Sequence, residues 1–127
     1  MAKILAVGIA TLDIINTVER YPLLDGETRA LSQHKTRGGN ATNTLAVLSQ
    51  LGHQCYWAGV LIDETDTQLI RKDLALYNID ISGCQKAANG KMPTSYITLD
   101  QQTGSRTIVH FRDCPEYGFA SFKALDL

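Results

Sequence analysis

Apolar residues recur along this chain with two different periods, and each period predicts a type of element. Unbroken apolar runs at residues 4–7, which ends at Gly8, and 55–61 predict strands that are buried on both faces of a parallel sheet. A period near 3.6 predicts a helix over residues 40–51, before Gly52, and a second one after the acidic run 63–66, which offers N-cap residues. The apolar stripes are Ala41, Leu45, Leu48 and Leu51 in the first helix, and Leu69, Ile70, Leu74 and Tyr77 in the second. Strand, helix, strand, helix is the order of an α/β fold.

Other segments are β-prone but mix apolar with polar residues. Residues 12–18 and 27–35, on either side of a turn, predict two strands of a partly exposed sheet. Residues 94–100 and 106–111 alternate on either side of a second turn and predict a β-hairpin. Residues 118–127 are compatible with the start of another helix.

Composition narrows the classes of function. A chain of 127 residues with 44% hydrophobic residues can bury the core of one domain. The net charge is −1, from 12 basic and 13 acidic residues spread along the chain, so a small neutral or anionic ligand is favoured over nucleic acid or a membrane surface. Cys55, Cys84 and Cys114 lie far apart and cannot all pair within the chain, which indicates a reducing, cytoplasmic setting.

The strongest candidates for chemistry lie at the ends of predicted elements. Asp13 follows the first strand, where open α/β sheets place ligand-binding groups. Gly38 and Gly39 remove two side chains before a helix whose first N–H groups are free, so a ligand can approach the backbone closely. Asn40 and Asn43 share one helical face, and each amide carries the donor and acceptor that a sugar hydroxyl needs.

Structural interpretations of the same residues stay open at this stage. Asp13 is equally well a solvated loop carboxylate, Asn40 a helix cap, and the glycines a simple turn. Arg106 opens the second hairpin strand, either as a ligand clamp or as an ordinary strand-end cation. The histidines His34, His53 and His110 have no metal-ligand spacing. Motifs of dinucleotide-binding and P-loop enzymes are absent, which disfavours both classes.

A set of motifs in a fixed order gives more specific information than any single residue does. The set is Val7-Gly8, Asp13, Tyr21-Pro22, Asp25, Ser32-Gln33, the stretch 37–43 with sequence Arg-Gly-Gly-Asn-Ala-Thr-Asn before an apolar helix, and the stretch 105–109. In this order the motifs resemble the N-terminal part of the ribokinase/PfkB family of carbohydrate kinases, and most of all its ketohexokinase-like members. The resemblance implies an α/β fold with a three-layer core, a mostly parallel sheet and a small β lid at about residues 12–35 and 94–111. Residues 1–127 would then be the N-terminal portion of a kinase domain, in a homodimer that pairs through the lid.

The resemblance also implies a site and a reaction. It assigns sugar contacts to Asp13, Asp25, Gly39, Asn40 and Asn43, an open turn to Gly38, and a position toward substrate or phosphate to Arg106. The implied reaction transfers phosphate from ATP, with Mg²⁺, to a primary hydroxyl of a ketohexose or related sugar. The family's Gly-Ala-Gly-Asp motif, which supplies the catalytic base, does not occur in these residues, and neither does most of the ATP site. We therefore expect a sugar-binding half that is inactive by itself; a non-catalytic sugar-binding or dimerisation module is the alternative.

Overall fold

The computed structural model describes residues 1–127 as eight strands and three helices. In chain order these are β1 (Lys3–Val7), β2 (Thr11–Val18), β3 (Ser32–Gly38), α1 (Asn40–Gln50), β4 (Gln54–Ala58), β5 (Val60–Ile62), α2 (Thr67–Leu76), β6 (Gln85–Ala87), β7 (Lys91–Asp100), β8 (Arg106–Asp113) and α3 (Phe119–Lys123). The strands form a parallel pair β1–β4, a parallel pair β5–β6, and a four-stranded sheet in the order β3–β2–β7–β8. None of the helices is long and apolar enough to cross a membrane.

One apolar core joins the helices to the parallel strands. α1 contributes Leu45, α2 contributes Ile70 and Leu74, and β4 contributes Trp57, all of them 0–1% exposed. Leu12 enters the same core from β2, so the four-stranded sheet is attached to the core at one end. Burial of these side chains is the main stabilising term, because each removes a large apolar surface from water.

The four-stranded sheet contains both segments predicted to be partly exposed. Its centre is the parallel pair β2–β7, and β3 and β8 pair antiparallel on the outside. The predicted hairpin is confirmed and is longer than expected, because pairing runs from Lys91–Asp113 to Leu99–Arg106. Since directly paired residues share a face, the register determines which side chains meet across the sheet.

Two predicted strands have different bounds in the structure. The strand predicted at 27–35 begins only at Ser32 and continues to Gly38, because its pairing with β2 runs from Thr17–Ser32 to Thr11–Gly38. The strand predicted at 55–61 breaks at Gly59 into β4 and β5, which pair with β1 and β6. A Cβ at Gly59 would overlap the carbonyl oxygen of Gly8. The close approach of two backbone segments therefore causes the break.

Burial at two predicted apolar positions is also lower than expected. β1 is only half-buried, with Val7 49% exposed, because β4 is its only partner. Leu51 is 68% exposed, because α1 ends at Gln50 and Leu51 already occupies the C-cap. The left-handed stop at Gly52 is confirmed by its φ of 93°.

The acidic run before α2 does not cap that helix with a side chain. Asp66 occupies the N-cap position but makes no capping hydrogen bond. Lys91 Nζ instead contacts Asp66 Oδ2 at 2.9 Å and Glu64 Oε2 at 3.1 Å, and the Met92 N–H donates to Glu64 Oε2 at 2.6 Å. The carboxylates therefore tie the start of β7 to the loop before α2.

The parallel pair β1–β4 leaves one edge of β1 with unpaired backbone N–H and C=O groups. A cavity of about 420 Å³, lined by Ile4, Trp57 and Leu125 among others, opens over the same two strands. We therefore expect a polypeptide of residues 1–127 made alone to self-associate, with an average mass in sedimentation velocity that rises with concentration. A monomer of constant mass at every soluble concentration would contradict this prediction.

Candidate ligand-binding site

At one end of the four-stranded sheet, glycines allow two backbone segments, at Gly39 and at Gly59, to approach the segment that leads from β1 to β2. The indole N–H of Trp57 donates to the carbonyl oxygen of Gly8 at 3.0 Å and holds the segment that leads from β1 to β2. Gly39 has φ 102° and ψ 131°, and a Cβ there would overlap the carbonyl oxygen of Ile9 and lie 3.1 Å from Ala10 Cα. The turn between β3 and α1 therefore lies directly on the segment that precedes β2.

Asp13 lies on β2 beside this turn. The Thr11 hydroxyl donates to Asp13 Oδ1 at 2.7 Å. A Cβ at Gly38 would overlap Asp13 Oδ2 and lie 2.6 Å from Thr11 Oγ1. The carboxylate thus occupies space that any side chain at position 38 would fill. Two residues 25 positions apart in the sequence are in this way brought into direct contact.

The N-terminus of α1 completes the cluster. Gly39 is the N-cap and supplies no side-chain cap, so the interpretation of Asn40 as the helix cap is wrong. Asn40 is the first helical residue, and its exposed side chain makes no hydrogen bond within the chain. The Asp13 carboxylate, the free Asn40 amide and the unpaired N–H groups at the start of α1 together offer acceptors and donors to a neutral, hydroxyl-rich ligand.

Sequence reasoning missed the role of Arg37 in this arrangement. Its side chain is 6% exposed, and Nε donates to Asp73 Oδ2 on α2 at 2.5 Å. Nη1 donates to Thr42 Oγ1 at 2.9 Å and to Asn43 Oδ1 at 2.8 Å. The sequence carried no local signal for this role, because it depends on the strand register that places Arg37 beside the buried Leu12, where a charged side chain needs partners inside the fold.

Two predicted site residues make no hydrogen bond to this cluster. Asp25 lies in the exposed loop between β2 and β3. Arg106 pairs with Leu99, which pairs with Thr17, four positions along β2 from Asp13. At 3.3 Å per residue this separates the two rows by about 13 Å. The structure therefore brings Asp13, Gly38 and Gly39 together at the start of α1, which carries Asn40 and Asn43, and it places Arg106 in a distant row of the sheet and Asp25 in the exposed β2–β3 loop.

A polar row that the sequence did not predict continues across the sheet from Asp13. Ser95 pairs with Asp13, and His110 pairs with Ser95. Ser95 Oγ and His110 Nδ1 are 3.0 Å apart, and Arg112 Nε donates to His110 Nε2 at 3.4 Å. Only the strand register reveals this row, because its members come from distant parts of the sequence.

The three cysteines are free thiols, and Cys84 is the one whose titration changes most. Burial raises the pKa of Cys84 from its ordinary value of 9.0 to about 11, against smaller lowering effects of a backbone hydrogen bond from Gly59 and the charge of Arg71. Its Sγ donates to the carbonyl oxygen of Trp57 at 3.4 Å. The thiolate, which is the reactive form, is therefore disfavoured in the folded chain.

We expect Cys84 to react with iodoacetamide at pH 8 roughly a hundredfold more slowly in the folded chain than in urea, since each pKa unit lowers the thiolate fraction tenfold. Mass spectrometry of the Cys84 peptide at timed quenches measures both rates. Equal rates in the two states would contradict the burial of this thiol.

The comparison with known families decides the classification. The family model described as pfkB family carbohydrate kinase matches residues 1–115. The chain belongs to the PfkB family of carbohydrate kinases. Nowhere in the chain do three or more His, Cys, Asp or Glu side chains converge as a possible metal site.

Individual PfkB relatives agree with this assignment. The chain is 36% identical to ketohexokinase from Mus musculus over 126 residues, 98% of this chain and 42% of the relative. It is 30% identical to ATP-dependent ribose-1-phosphate kinase from Halopiger xanaduensis, over 79% of this chain and 34% of that one. The chain thus spans less than half the length of these curated relatives.

A solved structure supports the expected fold. The nucleoside kinase of Methanocaldococcus jannaschii, described as an archaeal member of the ribokinase family, superposes with a TM-score of 0.76 at 24% identity, over 89% of this chain and 38% of that chain. The ribokinase-like α/β fold expected from the sequence is confirmed.

Proposed function

We propose that these residues form the sugar-binding part of an ATP-dependent kinase that phosphorylates a primary hydroxyl of a ketohexose or a related sugar. The observation that carries the proposal is the Asp13 carboxylate placed over Gly38, next to the N-terminus of α1, which has no side-chain cap. A carboxylate accepts hydrogen bonds from hydroxyls, and amide and backbone N–H groups donate to them. The similarity to ketohexokinase supports a ketose as the substrate.

The proposal assigns the substrate contacts to Asp13, Gly39, Asn40 and Asn43, with Gly38 leaving room for the carboxylate. Asp25 and Arg106 belong to the proposed lid, at about residues 12–35 and 94–111. Because Arg106 lies in a distant row of the sheet, its contact with the same sugar requires the lid to move toward Asp13.

ATP and Mg²⁺ belong to the proposal through the family and through the ATP-dependent relative. The residues of this chain do not form a metal cluster of their own. As the family resemblance implies, we assign Mg²⁺, most of the nucleotide contacts and the catalytic base to residues outside this chain. The part played by these residues is to bind and orient the acceptor hydroxyl.

We also propose that the four-stranded sheet pairs with a second copy of the chain. Tyr96, Val109 and Phe111 share one face of β7 and β8 and are 46%, 68% and 50% exposed. Exposed apolar side chains grouped on one sheet face favour an interface.

The cytoplasm, inferred from the unpaired cysteines, remains the proposed location.

A coupled ADP-release assay on the full-length natural polypeptide tests the function. With ATP and Mg²⁺ we expect turnover of D-fructose to exceed that of aldopentoses and nucleosides, and Asp13→Ala to abolish it. Residues 1–127 made alone should release no ADP. D-Fructose binding in calorimetry without ADP release would instead support the non-catalytic module, and neither binding nor turnover would refute both.

A further inference from the structure

The contact between Arg37 and Asn43 determines which end of the Asn43 amide faces inward. An arginine side chain carries only donors, so the group 2.8 Å from Arg37 Nη1 must be the carbonyl oxygen Oδ1. The NH₂ group of Asn43 then points away from Arg37, and it has no hydrogen-bond partner within the chain. We propose that Arg37 is a positioning residue that fixes Asn43 with its carbonyl oxygen inward and its two N–H donors toward the ligand.

The guanidinium is itself fixed in place, which this role requires. Its Nε donates to Asp73 on α2, and Nη1 donates to Thr42 on α1. The Thr42 hydroxyl donates in turn to the carbonyl oxygen of Gly38 at 2.8 Å, so it can only accept from Arg37. Because the fork is planar and nearly fully buried, these contacts leave it no other orientation.

The consequence concerns the ligand, and it rests on the proposed function. Asn43 offers only donors, and Asp13 offers only acceptors when it is ionised. The ligand must therefore present an oxygen that accepts at Asn43 and a hydroxyl that donates at Asp13. An Asn43 free to rotate would present either end and would lose this discrimination.

The test measures kcat and KM for D-fructose and the melting temperature of the full-length natural polypeptide. Arg37→Lys keeps the positive charge beside Asp73 but not the planar fork, and should raise KM about tenfold, the usual effect of one lost hydrogen bond. Asn43→Asp should raise KM at least as much while the melting temperature stays near that of the wild type, because the new carboxylate pairs with Arg37 but donates nothing.

Asp73→Asn is the matched control. It removes the charge of the ion pair, while the Asn carbonyl oxygen can still accept from Arg37 Nε and the contacts of Arg37 with Thr42 and Asn43 remain, so we expect a lower melting temperature with KM within about twofold of the wild type. If Arg37 has a structural role only, Arg37→Lys and Asp73→Asn will raise KM in parallel with their loss of melting temperature. That result would overturn the proposal.

A second measurement separates this proposal from the proposed function. The ¹H–¹⁵N heteronuclear NOE of the Asn43 side-chain NH₂ group should be high in the wild type and in Asp73→Asn, and low in Arg37→Lys, because only the last variant lets the amide rotate. Equally high values in all three proteins would overturn the positioning role, whatever the kinetics show. Absence of turnover with every sugar, with a low value confined to Arg37→Lys, would refute the kinase and leave the positioning role supported.

Discussion

Gly38→Ala is expected to weaken D-fructose binding by the full-length polypeptide about a hundredfold, because the new methyl group takes the space of the Asp13 carboxylate. An alanine Cβ would overlap Asp13 Oδ2 and approach Thr11 Oγ1 to 2.6 Å. Loss of the charge-assisted hydrogen bonds from one carboxylate costs roughly 2–3 kcal/mol, which is a factor of about a hundred in affinity. Isothermal titration calorimetry measures the affinity, and a thermal melt shows that the variant is folded.

Folding should largely survive this substitution. Gly38 is not among the glycines with positive φ, so alanine adopts its backbone conformation without strain. Gly118→Ala is a suitable control, since Gly118 has φ −76° and a Cβ there would lie 3.5 Å from Gln85 Oε1, an ordinary contact. We expect the control to bind D-fructose as the wild type does. A folded Gly38→Ala with wild-type affinity would contradict the place given to Asp13.

Gly39→Ala should act on folding instead, and lower the free energy of unfolding by about 4 kcal/mol, the sum of backbone strain and overpacking. The backbone at Gly39 has φ 102°, which L-residues rarely adopt. A Cβ would also overlap the carbonyl oxygen of Ile9, which is backbone and cannot rotate away. Urea unfolding of the full-length polypeptide, followed by far-UV circular dichroism, measures the loss.

Gly52→Ala isolates the strain from the overlap. Gly52 has a similar φ of 93°, but no atom lies within 4 Å of a Cβ built there. This control should therefore cost only about 1 kcal/mol, the cost of the left-handed conformation alone. Equal losses of unfolding free energy from the two substitutions would show that the carbonyl oxygen of Ile9 does not restrict the space at Gly39.

Elements with local signals were predicted well. The helix α1 with its buried Leu45, the stop at Gly52 and the alternation of the hairpin all depend on neighbouring residues, and all are present in the structure, although Leu51 at the end of the predicted stripe is exposed. The break at Gly59 and the exposure of Val7 were missed. Both depend on which distant strand lies alongside, and no local pattern encodes that.

The residues of the candidate site also differ in how well the sequence predicted their positions. Gly38, Gly39, Asn40 and Asn43 are adjacent in the sequence, so one motif predicted that they lie together. That Asp13 belongs to the same site was expected only through the family resemblance, whereas its contact with Gly38 and the separation of Arg106 from Asp13 were not expected at all. Strand register determines both, because each step along a strand moves a side chain about 3.3 Å and to the other face.

The sequence by itself determined the α/β class, the helix that follows two glycines, and membership of a sugar kinase family, because each depends on short-range periodicity or on an ordered motif. Only the tertiary structure decided that Asp13 occupies the space left by Gly38, that Arg37 reaches Asp73 on α2, and that Asn43 keeps its carbonyl oxygen inward. These contacts join residues on different elements. Their geometry comes from the packing of those elements around a shared core, which a local sequence pattern does not contain.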